Sequence, residues 1–308
     1  MDKTKLDLIE EHYSNFSIQI SNLDEFCAVI KKNSEHFLEL LYKKKSNFDE
    51  VIANPNIDPR VKELNGTNYR NFMVRNPYTN DFLFVAHKAT DLAEQIDQCY
   101  MLKNKQYQWA LVEAYELYED FIEDIYSCLG YIDSNFWVAS DFGDIQFSQV
   151  KSMDLQWFKS RVEKKKDKPK SILKHIRSVV DAFSYVEDDN KSGKKYKTIN
   201  VVTEHLRHVI VHRGGIFGDL DKFKDRVCSK ADVNKKSKES VHDFIDSFVG
   251  LHKGTKIVLL TEIPASGYPS FMNAQYSRIN FLIQTLQEHA FILKQEVISY
   301  FQNKETSA

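Results

Sequence analysis

The stretch from Tyr107 to Leu129, YQWALVEAYELYEDFIEDIYSCL, decides the fold. Its apolar residues recur at alternating steps of four and three positions, at Leu111, Tyr115, Tyr118, Ile122, Ile125 and Leu129. That spacing places them on one face of an α-helix. The other face is acidic, and on it Glu116 and Glu123 are candidates to support a functional site or an ion pair. We therefore predict a long amphipathic helix with one buried face.

Composition extends this helical prediction to the whole chain. Among 308 residues there are only 10 Gly and 6 Pro, the residues that disfavour helices most. A second apolar stripe predicts a closing helix from about Ser270 to Gln302. We predict a mainly all-α fold: a helical bundle with long loops in residues 96–308, preceded by an additional, mainly helical region in residues 1–95.

Three local sequence patterns describe the N-terminal region. The run FSIQIS, from Phe16 to Ser21, alternates apolar and polar residues. Behind it we predict a helix that begins at Asn22, because Glu25 three residues later completes a capping-box pattern. From about Asn54 to Asn80, three Pro and several Asn predict a loop or boundary, and a helical pattern resumes near Phe82.

The later segments are predicted from similar signals. Pro169 is expected to open a helix near Ser171, and a further helix is predicted over Thr198–Arg213. The lysine-rich sequence after that helix, up to about Ser240, is predicted to be a loop. The apolar run KIVLL, Lys256–Leu260, fits a short strand.

The net charge, the cysteines and the N-terminal sequence indicate the compartment and the partners that we expect. The net charge is −2, with 42 basic and 44 acidic residues, so nucleic-acid binding would depend on local patches. The four cysteines lie far apart without a CxxC pair, which argues against a zinc ribbon and a disulfide framework. The N-terminus lacks an apolar signal core, and no stretch approaches the ~18 apolar residues of a membrane span. We therefore expect a cytoplasmic protein with no role in a membrane.

A second stretch, EHLRHVIVHRGG from Glu204 to Gly215, carries the candidate chemistry. The arc of this helix that must face the core comprises Ile199, Val202, Leu206, Val209 and Ile210. On the other side three histidines lie within about 60° of each other at the helical 100° per residue; they are His205, His208 and His212. Glu204 and Arg207 flank them, and the Gly-Gly pair is a typical helix stop.

Imidazole and guanidinium groups together suit the cleavage of an RNA phosphodiester. A neutral imidazole accepts the proton of the 2′-hydroxyl because its pKa lies near working pH. A guanidinium offers planar donors to the phosphate oxygens as charge develops on them. We therefore expect a metal-independent endoribonuclease that needs no cofactor, spares DNA and leaves a 2′,3′-cyclic phosphate.

The segment RHVIVH, Arg207 to His212, resembles the Arg-x(4–6)-His signature of the HEPN superfamily, in which a polar residue, here His208, follows the Arg. The long helix upstream, the motif helix ending in VHRGG and the closing helix extend the resemblance over about residues 100–305. It implies that Arg207 and His212 are catalytic and that His208 assists. Glu204, His205 and Glu116 are candidates for supporting roles.

The resemblance also implies partners. HEPN ribonucleases are homodimers that build one composite cleft from two motifs. Many are toxins or antiviral effectors that cut tRNA or other cellular RNA, so an antitoxin or a regulatory protein is an expected partner. Helix geometry independently favours a dimer. Arg207 and His212 lie about 140° apart on an ideal helix, so they do not point at one phosphate.

Two other interpretations remain open at this point. The spacings of three and four between the histidines also suit a metal ion, although Arg207 would oppose a nearby dication. Alternatively, these side chains only decorate a polar face or pair with the acidic Tyr107–Leu129 helix. In a related interpretation, the HEPN-like fold is a non-catalytic RNA-binding or scaffolding module. The candidate RNA contacts on and beside the lysine-rich segments are Lys195, Tyr196, Lys197 and Arg213.

Overall fold

The computed structural model describes residues 3–165, 168, 170–265 and 274–306. It is 70% helical, which confirms the mainly all-α prediction. Its α-helices are α1 Lys3–Ala53, α2 Pro59–Gly66, α3 Leu92–Ile132, α4 Phe147–Val150, α5 Leu155–Glu163, α6 Lys170–Val179, α7 Asp181–Asp188, α8 Tyr196–Arg213, α9 Leu220–Lys230, α10 Lys238–Asp246 and α11 Arg278–Thr306. The strands pair two by two as β1 Asn68–Arg75 with β2 Phe82–Thr90, β3 Val249–His252 with β4 Thr255–Val258, and β5 Ile263–Pro264 with β6 Gln275–Tyr276.

The chain forms two compact units. One contains residues 1–25 and 107–308, and the other contains residues 26–106. Both α1 and α3 contribute to both units, so the transitions fall inside helices, where no change of composition marks them. The first 25 residues therefore belong with the C-terminal part of the chain, which a division at residue 95 does not anticipate.

The core of the larger unit is formed by the stripes that the sequence predicts. All six residues of the predicted apolar stripe of the Tyr107–Leu129 stretch are buried within α3, and so are the five arc residues of α8. The stripe of α11 is buried as well, at Ile279, Ile283, Leu286, Ala290, Leu293, Val297 and Phe301. In this unit α11 packs against α7 and α8, and α8 packs against α9, so the motif helix has a buried side and a side that meets α9.

Helix α1 corrects the prediction for the N-terminus. It runs without a break from Lys3 to Ala53, so Asn22 lies inside a helix and does not begin one. Phe16 and Ile20 are buried whereas Ile18, between them, is exposed. Residues i and i+4 share a face in a helix, whereas in a strand all three would face the same side. The polar–apolar alternation of FSIQIS therefore arises from a helical stripe.

Residues 68–90 form an antiparallel hairpin, so the predictions of a loop up to Asn80 and of a helix near Phe82 are wrong there. The register runs from Asn68 opposite Thr90 to Arg75 opposite Phe82, with a bulge between Phe72 and Met73. Phe, Val and Tyr favour strands, and Asn76, Pro77 and Asn80 lie in the connecting turn. A separate short helix, α2, precedes the hairpin.

The lysine-rich segment after α8 is also corrected, because it contains α9 and α10 where a loop was predicted. The Asp219 side chain caps α9 by accepting from the Lys222 N–H at 3.0 Å. The predicted strand KIVLL is confirmed over Lys256–Val258, within β4. The predicted helix near Ser171 is confirmed as α6, and the expected start of the last helix at Ser270 and the role of Pro169 lie outside the described residues.

None of the helices of the described residues combines the length and the apolar composition that crossing a bilayer requires.

Candidate ribonuclease site

The end of α8 fixes where the candidate catalytic side chains point. Gly214 adopts a left-handed conformation with φ 62°, and the Gly215 N–H donates to the Val209 carbonyl at 3.1 Å. The chain then leaves beside β4, where the Val258 N–H donates to the Gly215 carbonyl at 2.8 Å. Gly215 has φ 85°, a left-handed conformation that favours glycine, and a Cβ there would also lie 2.5 Å from the Gln108 side chain. The predicted Gly stop is therefore confirmed, and it directs the chain towards α9.

A cavity of about 420 Å³ lies between α8 and α9. Four kinds of side chain meet in it: imidazoles, cations, two carboxylates and a few apolar groups. Its polar lining consists of Glu204, His205, His208, His212, Arg213, Asp219, Lys222, Arg226 and Lys230. The three histidines of the motif therefore share one cavity, as their spacing predicts.

His208 and His212 are exposed members of this lining. Their ring centroids are 4.2 Å apart, so the two imidazoles are in contact one helical turn apart. Burial together with the charges of His212, Arg207 and Lys230 lowers the pKa of His208. His208 is therefore predominantly neutral at neutral pH and able to accept a proton.

His205 lies deeper in the same cavity. It is 6% exposed, and neither ring nitrogen has a hydrogen-bond partner in the described structure. Burial and the nearby cations Lys230 and Arg226 lower its pKa to about 4, so the ring is neutral. We expected it on the open side of α8; α9 buries it instead, through the Phe223 ring at 6.1 Å between centroids.

Cations surround the imidazoles. Arg213, Lys222, Arg226 and Lys230 line the cavity against only two carboxylates, Glu204 and Asp219. Lys222 pairs with Asp219 at 3.2 Å, and Lys230 pairs with Glu204 at 3.4 Å. Arg213 and Arg226 have no carboxylate partner among the described residues, so the field in the cavity favours an anion.

Arg207 lies on another face of α8 and does not line this cavity. Its Nη2 lies 3.2 Å from Glu116 and 3.9 Å from Glu119, both on α3, and its buried Nε has no hydrogen-bond partner. Burial and the neighbouring carboxylates raise the pKa of Glu119 to about 7, an effect that Arg207 opposes. Within one chain, Arg207 and His212 are therefore not brought together, as the 140° of the helix predicts.

The remaining candidate RNA contacts are placed differently. Tyr196 is 4% exposed and donates to Glu288 at 2.9 Å, so its ring is not available to stack on a base. Lys197 pairs with Asp232 at 2.7 Å, and Lys195 donates to the Asp188 carbonyl. Only Arg213 of the four predicted contacts lines the histidine cavity.

The cations of α9 are the site residues that the sequence prediction missed, because the segment was interpreted as a loop. A signal for the helix exists: Asp219 is a capping residue, and Leu220, Val227 and Cys228 behind it are buried at helical spacing. That pattern orients Lys222, Arg226 and Lys230 towards a common side, four residues apart.

The metal interpretation finds no support in the arrangement of the side chains. Within residues 3–165, 168, 170–265 and 274–306, no group of three or more His, Cys, Asp or Glu side chains is placed to hold an ion.

Comparison with models of protein families, with curated proteins and with solved structures gave no match. The resemblance to HEPN proteins therefore depends on the motif and on the order of the helices.

Proposed function

We propose that this protein is a metal-independent endoribonuclease whose reacting groups lie in the cavity between α8 and α9. One observation carries the proposal: two imidazoles in contact, at 4.2 Å between centroids, in a cavity whose cations outnumber its carboxylates. Imidazoles move protons near neutral pH, and the cations favour the phosphate on which negative charge grows. By resemblance, we place the activity in a toxin–antitoxin or phage-defence role, with tRNA or other cellular RNA as the substrate.

The reaction that fits these groups is an internal transfer of the phosphate. Neutral His208 takes the proton of the 2′-hydroxyl, whose oxygen forms a bond to phosphorus. The bond from phosphorus to the 5′-oxygen breaks, and His212 in its protonated form supplies the proton of the departing hydroxyl. Arg213 and Arg226 donate to the non-bridging oxygens. The products are a 2′,3′-cyclic phosphate and a 5′-hydroxyl.

Purified protein incubated with total RNA in EDTA tests the activity directly. We expect new RNA ends that carry a cyclic phosphate, detected by sequencing after ligation to such ends, and no cleavage of DNA of the same sequence. Cleavage that EDTA abolishes would overturn the metal-free mechanism. Absence of cleavage across total tRNA and ribosomal RNA would overturn the enzymatic function.

The pH profile of cleavage is a second prediction. Because burial and its cationic neighbours lower the pKa of His208 from the ordinary 6.5, the neutral base persists below that pH. The value of kcat/KM should fall about tenfold per pH unit on the acidic side. The midpoint of that limb should lie below pH 6.5, the ordinary value. A midpoint above pH 6.5 would contradict the assignment of His208 as the base.

The position of Arg207 suggests how a dimer would complete the site. In a composite cleft, Arg207 of one protomer would act with His212 of the other. Co-expression of Arg207→Ala with His212→Ala then restores activity, because half of the dimers are mixed and each mixed dimer has one intact site, about a quarter of all sites. Activity should be near background for each variant alone. Wild-type activity of Arg207→Ala alone would show that Arg207 serves only its ion pairs with Glu116 and Glu119.

A second candidate is a module that binds RNA without cutting it. The observation in its favour is that Arg207, half of the HEPN motif, is held by two carboxylates and points away from the histidine cavity. Salt-dependent RNA binding with no cyclic-phosphate ends, in the EDTA experiment above, would favour this candidate.

A further inference from the structure

The unit of residues 26–106 exposes an excess of apolar side chains. Of the 29 large apolar side chains that are exposed among the described residues, 19 belong to this unit. Its buried apolar side chains, within the same described part of the chain, are Cys27, Ile30, Leu38, Leu41, Leu92 and Cys99. Apolar exposure that is concentrated in this way marks an interaction surface.

The hairpin β1–β2 carries part of this surface on one of its two faces. Cross-strand partners lie on the same face of a hairpin, and neighbouring residues of a strand lie on opposite faces. One face, which we call the outer face, therefore holds Tyr69, Asn71, Met73, Arg75, Phe82, Phe84, His87 and Ala89. All eight residues are exposed. The opposite face differs, because it begins with Arg70 and Lys88, which line a groove together with Phe37 of α1 and Leu102 of α3. The outer face is therefore the face without a partner in this unit.

The outer face has the composition and the area of half an interface. Four large side chains on it are between 44% and 67% exposed: Tyr69, Met73, Phe82 and Phe84. At about 200 Å² for a whole side chain of this size, they leave about 450 Å² open. Two copies of this face would bury about 900 Å² from these side chains alone, close to the roughly 1,000 Å² that a specific interface needs. Aromatic residues and Met are also the types that interface cores favour.

The polar side chains of the outer face are paired within the hairpin. Asn71 Oδ1 and His87 Nδ1 lie 2.6 Å apart, and the His87 ring stacks on Tyr69 at 5.8 Å between centroids. Arg75 carries the one fixed charge among the eight residues. It donates to the Asn80 carbonyl at 3.0 Å and lies over the Phe82 ring at 4.8 Å. Because these polar groups already have partners, the face can be buried against an apolar surface without leaving donors unsatisfied.

We infer that the outer face packs on the outer face of a second copy of this chain. A two-fold axis brings the same patch of two identical chains together, and an apolar surface with one fixed charge is complementary to itself. The two hairpins then stack at about 10 Å, as sheets do when they pack face to face. This contact supplies the packing that a two-stranded hairpin needs for stability in water. It does not rest on the proposed ribonuclease function, because the candidate catalytic residues lie on α8, outside this unit.

Light scattering over a concentration series, on the full chain without RNA, tests the inference. Phe84→Asp, on the outer face, should raise the dissociation constant for this contact at least about tenfold and lower the number of associated copies. Phe72→Asp makes the same change on the opposite face of the same hairpin and should not. The two rings are 67% and 62% exposed, so both variants should keep the fold. A wild-type protein that stays monomeric, or equal effects of the two variants, would overturn the inference.

The number of copies separates this contact from a dimer with a composite cleft. Phe84→Asp should lower it from four to two if both contacts form, and from two to one if only the hairpin contact forms. Either result supports the outer face as an interface, and the second would count against the composite cleft.

Cross-linking locates the contact on the hairpin. The native cysteines of the chain are all buried, so an introduced thiol reacts selectively. A bismaleimide with a short spacer should join copies of Met73→Cys and far fewer copies of Val74→Cys, because these neighbouring residues lie on opposite faces. Equal cross-linking of the two variants would contradict the face-to-face arrangement.

Discussion

Replacing both His208 and His212 with Ala should lower kcat/KM for RNA cleavage by about 10²- to 10⁴-fold, the range that positioned acid–base groups contribute. The two rings are in contact and serve successive proton transfers of one reaction. Each single variant should therefore lose nearly as much activity as the double variant, because residues that act as a unit are not additive. The measurement is the initial rate of cyclic-phosphate formation under subsaturating RNA.

The controls for this prediction separate chemistry from folding. Both histidines are exposed, so their removal should leave the thermal unfolding midpoint nearly unchanged. His36→Ala, at an exposed position of α1 outside the cavity, should cleave like wild type. RNA affinity should persist in the double variant, because the cations of α9 remain. Full activity in His208→Ala/His212→Ala would remove the catalytic role from the cavity.

The sequence predicts the helices whose burial is complete on one face. The stripes of α3, α8 and α11 are long and regular, and the core they form depends on local spacing. The prediction for helix α1 is wrong for a different physical reason. Six residues of α1, FSIQIS, fit both a strand and a helix, and only the exposure of Ile18 beside buried Phe16 and Ile20 distinguishes them.

The candidate site could be predicted to the extent that it lies on one helix. The clustering of the three histidines and the separation of Arg207 from His212 both follow from 100° per residue along α8. The approach of α9, which buries His205 and brings Arg226 and Lys230 to the cavity, depends on tertiary packing. No spacing within α8 encodes the cations of α9.

A buried network of ion pairs and hydrogen bonds surrounds Glu187. Glu187 is 1% exposed and accepts two hydrogen bonds from Arg177 and one from His289, which is fully buried. Despite the burial that opposes it, these bonds and charges lower the pKa of Glu187 to about 2, from the ordinary 4.5.

Glu187→Gln should lower the free energy of unfolding at pH 7 by about 3–5 kcal/mol, the cost of breaking a buried ion pair on one side. The glutamine amide has one acceptor oxygen and one NH₂ group that only donates. In either orientation the NH₂ group faces another donor, Arg177 or His289, and one hydrogen bond is lost. A carboxyl group whose pKa is lower in the folded protein than in the unfolded chain stabilises the fold at pH values above the pKa of the unfolded chain. That stabilisation is lost as the pH falls towards the pKa of the folded protein. The difference between wild type and variant, measured by urea unfolding, should therefore be constant above pH 4.5 and shrink towards pH 2. Glu113→Gln, on the exposed face of α3, should change stability by less than about 0.5 kcal/mol. Equal, small losses in both variants would mean that the network contributes little.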